Sequence, residues 1–228
     1  MKKTFIVANW KSNKTILQAK EWFRTINNSQ LAINKEEKEV IICPSFTLLP
    51  FVKESIVKSQ LSIVVGAQDI SQFDEGAYTG EVNGKQIKEY ADYIIVGHSE
   101  RRRNFSENDE IVNAKIAQAL KNELTPIICV SSLKQAEAIQ NAVKNNTQFI
   151  VAYEPLFAIG SGTADTPENA DQMAKSIKNI LGQIPVLYGG SVTANNIGSF
   201  TKMSNIDGVL IGKASLDAKE FSKILKNA

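Results

Sequence analysis

The chain runs to 228 residues, of which 43% are hydrophobic, and its 26 basic and 24 acidic residues leave a formal charge of +2. That balance lacks the large single-sign field of a nucleic-acid binder, and no apolar run approaches a membrane span. One substantial core can be buried at this length, and α/β barrels of this size fold as one domain, so residues 1–228 are expected to form a single unit.

In chain order, Met1-Lys2-Lys3-Thr4 imitates the basic start of a signal peptide. The following Phe5-Ile6-Val7-Ala8 is too short for an apolar signal region and runs into Asn9 and Lys11, so residues 4–8 read as a strand. Asn13-Lys14-Thr15 is a glycosylation sequon, but it needs a secretory route of which the sequence shows no sign. A helical pattern at 15–26 precedes a strand at 39–43, a helix at 47–59 and a strand at 63–67. Next come a helix at 85–90, a strand at 93–96, and a helix at 107–121 for which Ser106 and Asp109 mark the start. A strand at 126–129, a helix at 133–144 and a strand at 149–153 follow. Thr166-Pro167-Glu168 places proline at the first position of a helix over 167–181. The chain then closes with a strand at 186–188, a helix at 195–203, a strand at 208–211 and a helix at 218–225. Cys43 and Cys129 each end an apolar strand and read as reduced, partly buried thiols, which points to the cytoplasm. Eight strands alternating with eight helices favour an α/β fold closed as a (β/α)8 barrel over an open doubly wound sheet.

In such a barrel the C-terminal ends of the strands surround one mouth and must be read together. The first ends in Asn9-Trp10-Lys11, the fourth in His98-Ser99-Glu100 and the sixth in Glu154. His98 is the sole histidine, which excludes a histidine-rich metal cage. Gly160 and Gly162, Gly189-Gly190-Ser191, and Gly212 follow the last three strands, where glycine lets backbone amides converge on an anion. They do not spell a dinucleotide fingerprint, and neither a Walker run nor paired metal-ligand spacing is present. Each group has a plain structural explanation as well: a loop histidine, a solvated glutamate, a surface lysine, turn glycines, and a packing role for Trp10. Their joint placement at strand ends favours a site for a small phosphorylated molecule.

The motifs also resemble a known family along nearly the whole chain. They are Ala8-Asn9-Trp10-Lys11, Cys43-Pro44, Gly66-Ala67-Gln68-Asp69, Tyr78-Thr79-Gly80-Glu81, residues 96–102, Tyr153-Glu154-Pro155, residues 158–163, Tyr188-Gly189-Gly190-Ser191-Val192 and Ala214-Ser215-Leu216. In this order they resemble the triosephosphate isomerase family, whose fold is the TIM barrel. The resemblance implies interconversion of dihydroxyacetone phosphate and D-glyceraldehyde 3-phosphate, in glycolysis and gluconeogenesis, without metal or cofactor. It implies Glu154 as the base and a neutral His98 as donor to the enediolate oxygens. Lys11 would supply fixed positive charge, Asn9 a further donor, and Glu100 a second carboxylate near Lys11. It implies a lid formed by Pro155, Leu156, Phe157, Ala158, Ile159, Gly160, Ser161, Gly162 and Thr163. Phosphate would rest on the backbone amides of Gly160, Ser191, Gly212 and Lys213. It further implies a homodimer in which a loop over 72–81 inserts Thr79 beside the neighbour's Asn9 and Lys11, with Glu81 facing the partner's Arg101.

The sequence departs from the family in four places. Lys213 replaces the second glycine of a Gly-Gly pair, Leu156-Phe157 stands for Val-Trp, Ser131-Ser132 for Gly-Glu, and the segment from there to Glu154 is short. None removes an active group. Three other readings remain: a phosphate-binding barrel enzyme that uses Lys11 as a Schiff base, a non-catalytic scaffold, and a partner-binding role beside catalysis.

Overall fold

The computed structural model describes residues 3–29, 33–144 and 146–228. Met1 and Lys2, part of the basic opening, lie outside the described residues. Eight strands form a closed barrel in sequence order: β1 Thr4–Asn9, β2 Lys38–Cys43, β3 Ile63–Ala67, β4 Tyr93–Val96, β5 Thr125–Val130, β6 Ile150–Tyr153, β7 Val186–Tyr188 and β8 Gly208–Ile211. All neighbours are parallel, and β8 closes on β1 with Val7 opposite Leu210.

Closure follows from strands that are apolar on both faces. Val7, Ile41, Cys43, Ile95, Ile127, Cys129, Ile150, Ala152, Leu187 and Leu210 pack together as an inner cluster. Their alternates, such as Ile6, Val40, Ile42, Ile94 and Val96, join the larger core shared with the helices. Gly66 is required within β3, because a side-chain carbon there would lie 2.6 Å from the Cys43 sulfur. The two thiols are fully buried inside the barrel, deeper than their strand-end positions suggested.

The helices are α1 Ile16–Asn28, α2 Leu49–Ser59, α3 Gly84–Lys88, α4 Ser99–Asn104, α5 Asp109–Lys121, α6 Leu133–Ile139, α7 Pro167–Leu181, α8 Ile197–Thr201 and α9 Ala218–Asn227. Helix α1 starts with a capping box between Thr15 and Gln18 and buries Ala19, Trp22, Phe23 and Ile26 at helical spacing. Thr166 caps α7, with Pro167 at its first position as expected. The start of α5 requires a correction. Asn108, rather than Ser106, accepts the Ile111 amide, and Ser106 sits in a left-handed turn at φ 56° just before it.

Candidate active site

Residues following β1 set the first wall. Buried Asn9 accepts the Lys11 amide through Oδ1 at 2.9 Å. Trp10 is fully buried edge-on against Trp22, the packing role open to it in the sequence. Lys11 adopts φ 52°, costly for a residue with a side chain. It is held there by Gln68, whose Nε2 donates to the Lys11 carbonyl at 2.9 Å and to the Cys43 carbonyl at 2.8 Å. The Lys11 ammonium pairs with Glu100 Oε1 at 2.5 Å. Gly212 lies beside its stem, since a side-chain carbon at Gly212 would be 3.1 Å from Lys11 Cε.

Beyond β4 the chain turns through Gly97, at φ 70°, into α4. His98 caps this helix: its Nδ1 accepts the Glu100 amide at 3.2 Å. The ring proton therefore resides on Nε2, which lies 3.0 Å from Glu154 Oε1. The other carboxylate oxygen of Glu154 accepts the Ser99 amide at 2.8 Å. Glu154 is 1% exposed, and the Ser99 amide offsets part of the desolvation of a buried carboxylate. Gly189 leaves it room, because a side-chain carbon there would approach Glu154 Cγ to 3.0 Å.

These groups open onto one cavity of about 500 Å³. Asn9, Lys11, His98, Glu154, Gly160, Ser191, Gly212 and Lys213 all line it; Glu100 reaches it only through its pairing with Lys11. Of the residues expected to form a lid, Ile159, Gly160, Ser161 and Gly162 line the cavity. Leu156 and Phe157 are 66% and 63% exposed, and Gly160 and Gly162 take φ of 69° and 82°. Ser191 Oγ donates to the Ala158 carbonyl at 2.6 Å, and Tyr188 Oη accepts the Asp165 amide at 2.7 Å. Burial raises the Tyr188 phenol to about 12. Lys213 opens a 3-10 turn over Lys213–Ser215 with its side chain in solvent. Together the cavity offers a carboxylate, an imidazole N–H and an ammonium alongside glycine-rich backbone. Among the described residues, no group of three His, Cys, Asp or Glu is placed to hold a metal ion.

Several contributors were not singled out from the sequence for the roles they play here. Gln68, Gly189 and Tyr188 stand inside recognisable motifs, but their work depends on contacts across the barrel. Glu220 also lines the cavity, accepting the Ala194 amide at 2.9 Å, and nothing local in the sequence marks it.

Away from the cavity, the loop carrying Thr79 and Glu81 is solvent-exposed, with Phe73 and Tyr78 stacked at 4.2 Å. Arg101 pairs within its own chain to Asp69 and Glu107, both of which also bind Lys115. Burial raises the Asp69 carboxyl against the pull of Lys115 and Arg101.

Comparison with known proteins places this arrangement among relatives. The family model described as triosephosphate isomerase matches residues 4–228. A triosephosphate isomerase of Mesomycoplasma hyopneumoniae (strain 7448) is 39% identical over 244 residues, covering 99% of this chain and all of the relative. One of Trichodesmium erythraeum (strain IMS101) is 39% identical over 241 residues, covering 99% of each chain. One of Mycoplasmopsis pulmonis (strain UAB CTIP) is 40% identical over 245 residues, covering 99% of this chain and 98% of the relative.

Proposed function

The chain belongs to the triosephosphate isomerase family, and on that premise we propose how its barrel mouth carries out the family's reaction. The protein is an isomerase that interconverts dihydroxyacetone phosphate and D-glyceraldehyde 3-phosphate in glycolysis. The observation that carries the assignment of roles is the convergence of Glu154, His98 Nε2 and the Lys11 ammonium on one cavity.

Glu154 accepts a proton from the hydroxymethyl carbon beside the substrate carbonyl. The C–H electron pair forms the new carbon–carbon double bond, and the carbonyl π electrons move onto oxygen, giving an enediolate. His98 Nε2–H, 3.0 Å from Glu154 Oε1, turns its proton to the enediolate oxygens and moves it from one to the other. Lys11 supplies fixed positive charge where negative charge develops, and Asn9 adds a donor. Glu154 then returns its proton to the neighbouring carbon and the aldehyde forms. Glu100 holds the Lys11 ammonium toward this end of the cavity.

The phosphate rests on the amides of Gly160, Ser191, Gly212 and Lys213, at the end where loops after the last strands of barrels commonly bind phosphate. Residues 155–163 close over it as a lid. Closure excludes water, strengthens every charge interaction inside and suppresses loss of phosphate from the enediolate. The exposed Leu156 and Phe157 gain burial by that movement.

Residues 1–228 act as one domain, and two chains pair. The exposed stacked rings of Phe73 and Tyr78 support burial of this loop in a neighbour, where Thr79 meets Asn9 and Lys11 and Glu81 meets the partner's Arg101. The buried free thiols suit a reducing cytoplasm.

A coupled assay of triose phosphate isomerisation in both directions tests this reading. Turnover without added metal or cofactor is expected, and a folded chain with no turnover would overturn it. Covalent trapping of substrate on Lys11 by borohydride would instead favour Schiff-base chemistry.

A further inference from the structure

Two residues in the loop after β1 hold left-handed backbones without being glycine: Lys11 at φ 52° and Lys14 at φ 71°. The first brings its ammonium to the cavity. The second does not line the cavity, and its strained backbone needs another explanation. Its half-buried side chain folds back with the ammonium over the Trp10 ring, 5.1 Å from the centroid, and donates to the Leu216 carbonyl at 2.8 Å.

Leu216 ends the turn that starts at Gly212. The turn is closed by the Ser215 amide and hydroxyl, both bonded to the Gly212 carbonyl, and by the Leu216 amide bonded to the Lys213 carbonyl. Trp22 Nε1 holds the Ser215 carbonyl from below at 3.0 Å. The far end of this turn is therefore gripped by Lys14 and α1, leaving the Gly212 and Lys213 end free at the cavity. On the near side, the Lys11 stem lies against Gly212. The loop after β1 thus carries the group for the carbonyl end of the substrate and is fastened to the turn that serves the phosphate end.

We infer that Lys14 is a positioning residue that sets the distance between the Lys11 ammonium and the phosphate cradle at Gly212 and Lys213. This rests on the isomerase reading of the same mouth. A substrate with a carbonyl and a phosphate must be met at both ends at once, and misplacement of one end is paid in rate and in affinity for ligands that span both. Burial lowers the Lys14 ammonium, with Asp217 opposing that shift, in keeping with a lysine committed to the interior rather than to solvent.

The test uses the full chain with three substitutions. Lys14→Met keeps the stem and removes the bond and charge; Lys14→Gly removes the side chain and relaxes the left-handed backbone; Lys14→Arg keeps a donor. Steady-state kinetics with dihydroxyacetone phosphate are measured beside two dissociation constants. Inorganic phosphate fills the cradle alone, whereas glycerol 3-phosphate spans both ends without reacting. Lys14→Met and Lys14→Gly are expected to lose about tenfold to a hundredfold in kcat/KM and to weaken for glycerol 3-phosphate by a similar order. Inorganic phosphate should stay within about threefold of wild type, and Lys14→Arg should recover most of the loss. Equal losses for both ligands would make Lys14 a support of the cradle alone and overturn the spacing role. Wild-type kinetics in Lys14→Gly would make it a turn residue and overturn it as well. Should Lys14→Met fail to fold, Lys14→Gly and Lys14→Arg carry the same comparison. A wild-type chain that turns over no triose phosphate defeats the isomerase reading instead, and the two binding measurements still decide on Lys14.

Discussion

Replacing Glu154 by glutamine separates its chemistry from its place in the fold. The carboxylate accepts the Ser99 amide on one oxygen and meets His98 Nε2 at 3.0 Å on the other. Glutamine has one carbonyl oxygen and one NH2 group, so its NH2 must face either the Ser99 N–H or the His98 Nε2–H. His98 can escape the conflict by moving its proton to Nδ1, but that nitrogen then meets the Glu100 amide it now accepts. One buried donor is left unmatched in every arrangement, at about 1–3 kcal/mol. For a chain of 228 residues each kcal/mol lowers Tm by roughly 2–4 °C, so a visible drop is expected without unfolding at room temperature. The chemical loss is larger. An amide cannot accept the carbon-bound proton, and kcat should fall by about 10³- to 10⁴-fold, or roughly 4–5.5 kcal/mol of barrier. Affinity for inorganic phosphate should change little, because the phosphate loops are untouched. The coupled assay, a thermal scan and ligand titration together read all three effects. Glu154→Gln turning over within severalfold of wild type would refute the reasoning.

Other outcomes follow from the same geometry. Lys213→Gly should change affinity for inorganic phosphate by less than about fivefold, since an exposed lysine contributes at most about 1 kcal/mol; a larger loss that shrinks with added salt would show its side chain on the phosphate. Thr79→Arg should shift sedimentation toward the monomer and lower activity on dilution, whereas a fully active monomer would sink the loop-exchange model. Tyr93 and Tyr188 are both raised to about 12 by burial, while the unfolded chain titrates near 10. The folded state therefore holds these protons more tightly, giving stability that is full below about pH 10 and lost as pH rises through about 12. Ultraviolet titration should find Tyr93 and Tyr188 ionising late and alongside unfolding, with Tyr153 also raised by burial; all five tyrosines ionising near pH 10 in a folded protein would contradict it.

The barrel was legible because its strands are buried on both faces, so residues 39–43, 63–67, 93–96, 186–188 and 208–211 stand out as short β-branched runs. Helix ends were harder. The helical reading at 47–59 is divided in the structure into a 3-10 turn over Phe46–Leu48 and α2, whose first turn contains Pro50. The reading at 133–144 overshoots α6, which ends at Ile139 although Val143 remains buried and its amide still reaches the Ile139 carbonyl at 3.2 Å, so apolar spacing runs on past the regular helix through looser turns. The cap of α5 went to Asn108 because the helix begins at Asp109, two residues beyond the start that Ser106 would cap, and Ser106 itself sits in a left-handed turn. At the mouth, His98, Glu154 and Lys11 could be found because each ends a strand. Gln68 holding Lys11, and Lys14 reaching Leu216 across 202 positions of sequence, depend on closure of the barrel and leave no local trace.

The two cysteines at the heart of the barrel have a consequence for how its opening can be watched. Cys43 and Cys129 are 0% and 1% exposed, and burial pushes both thiols well above the ordinary range, with Glu154 adding to the effect at Cys129. A thiol reagent needs both contact and thiolate, and the closed wall denies it both. Modification must therefore wait for strands to part, and the rate of labelling becomes a stopwatch for that event. Two positions, one on β2 and one on β5, report from opposite halves of the strand sequence, so their relative rates tell whether the wall unzips locally or all at once.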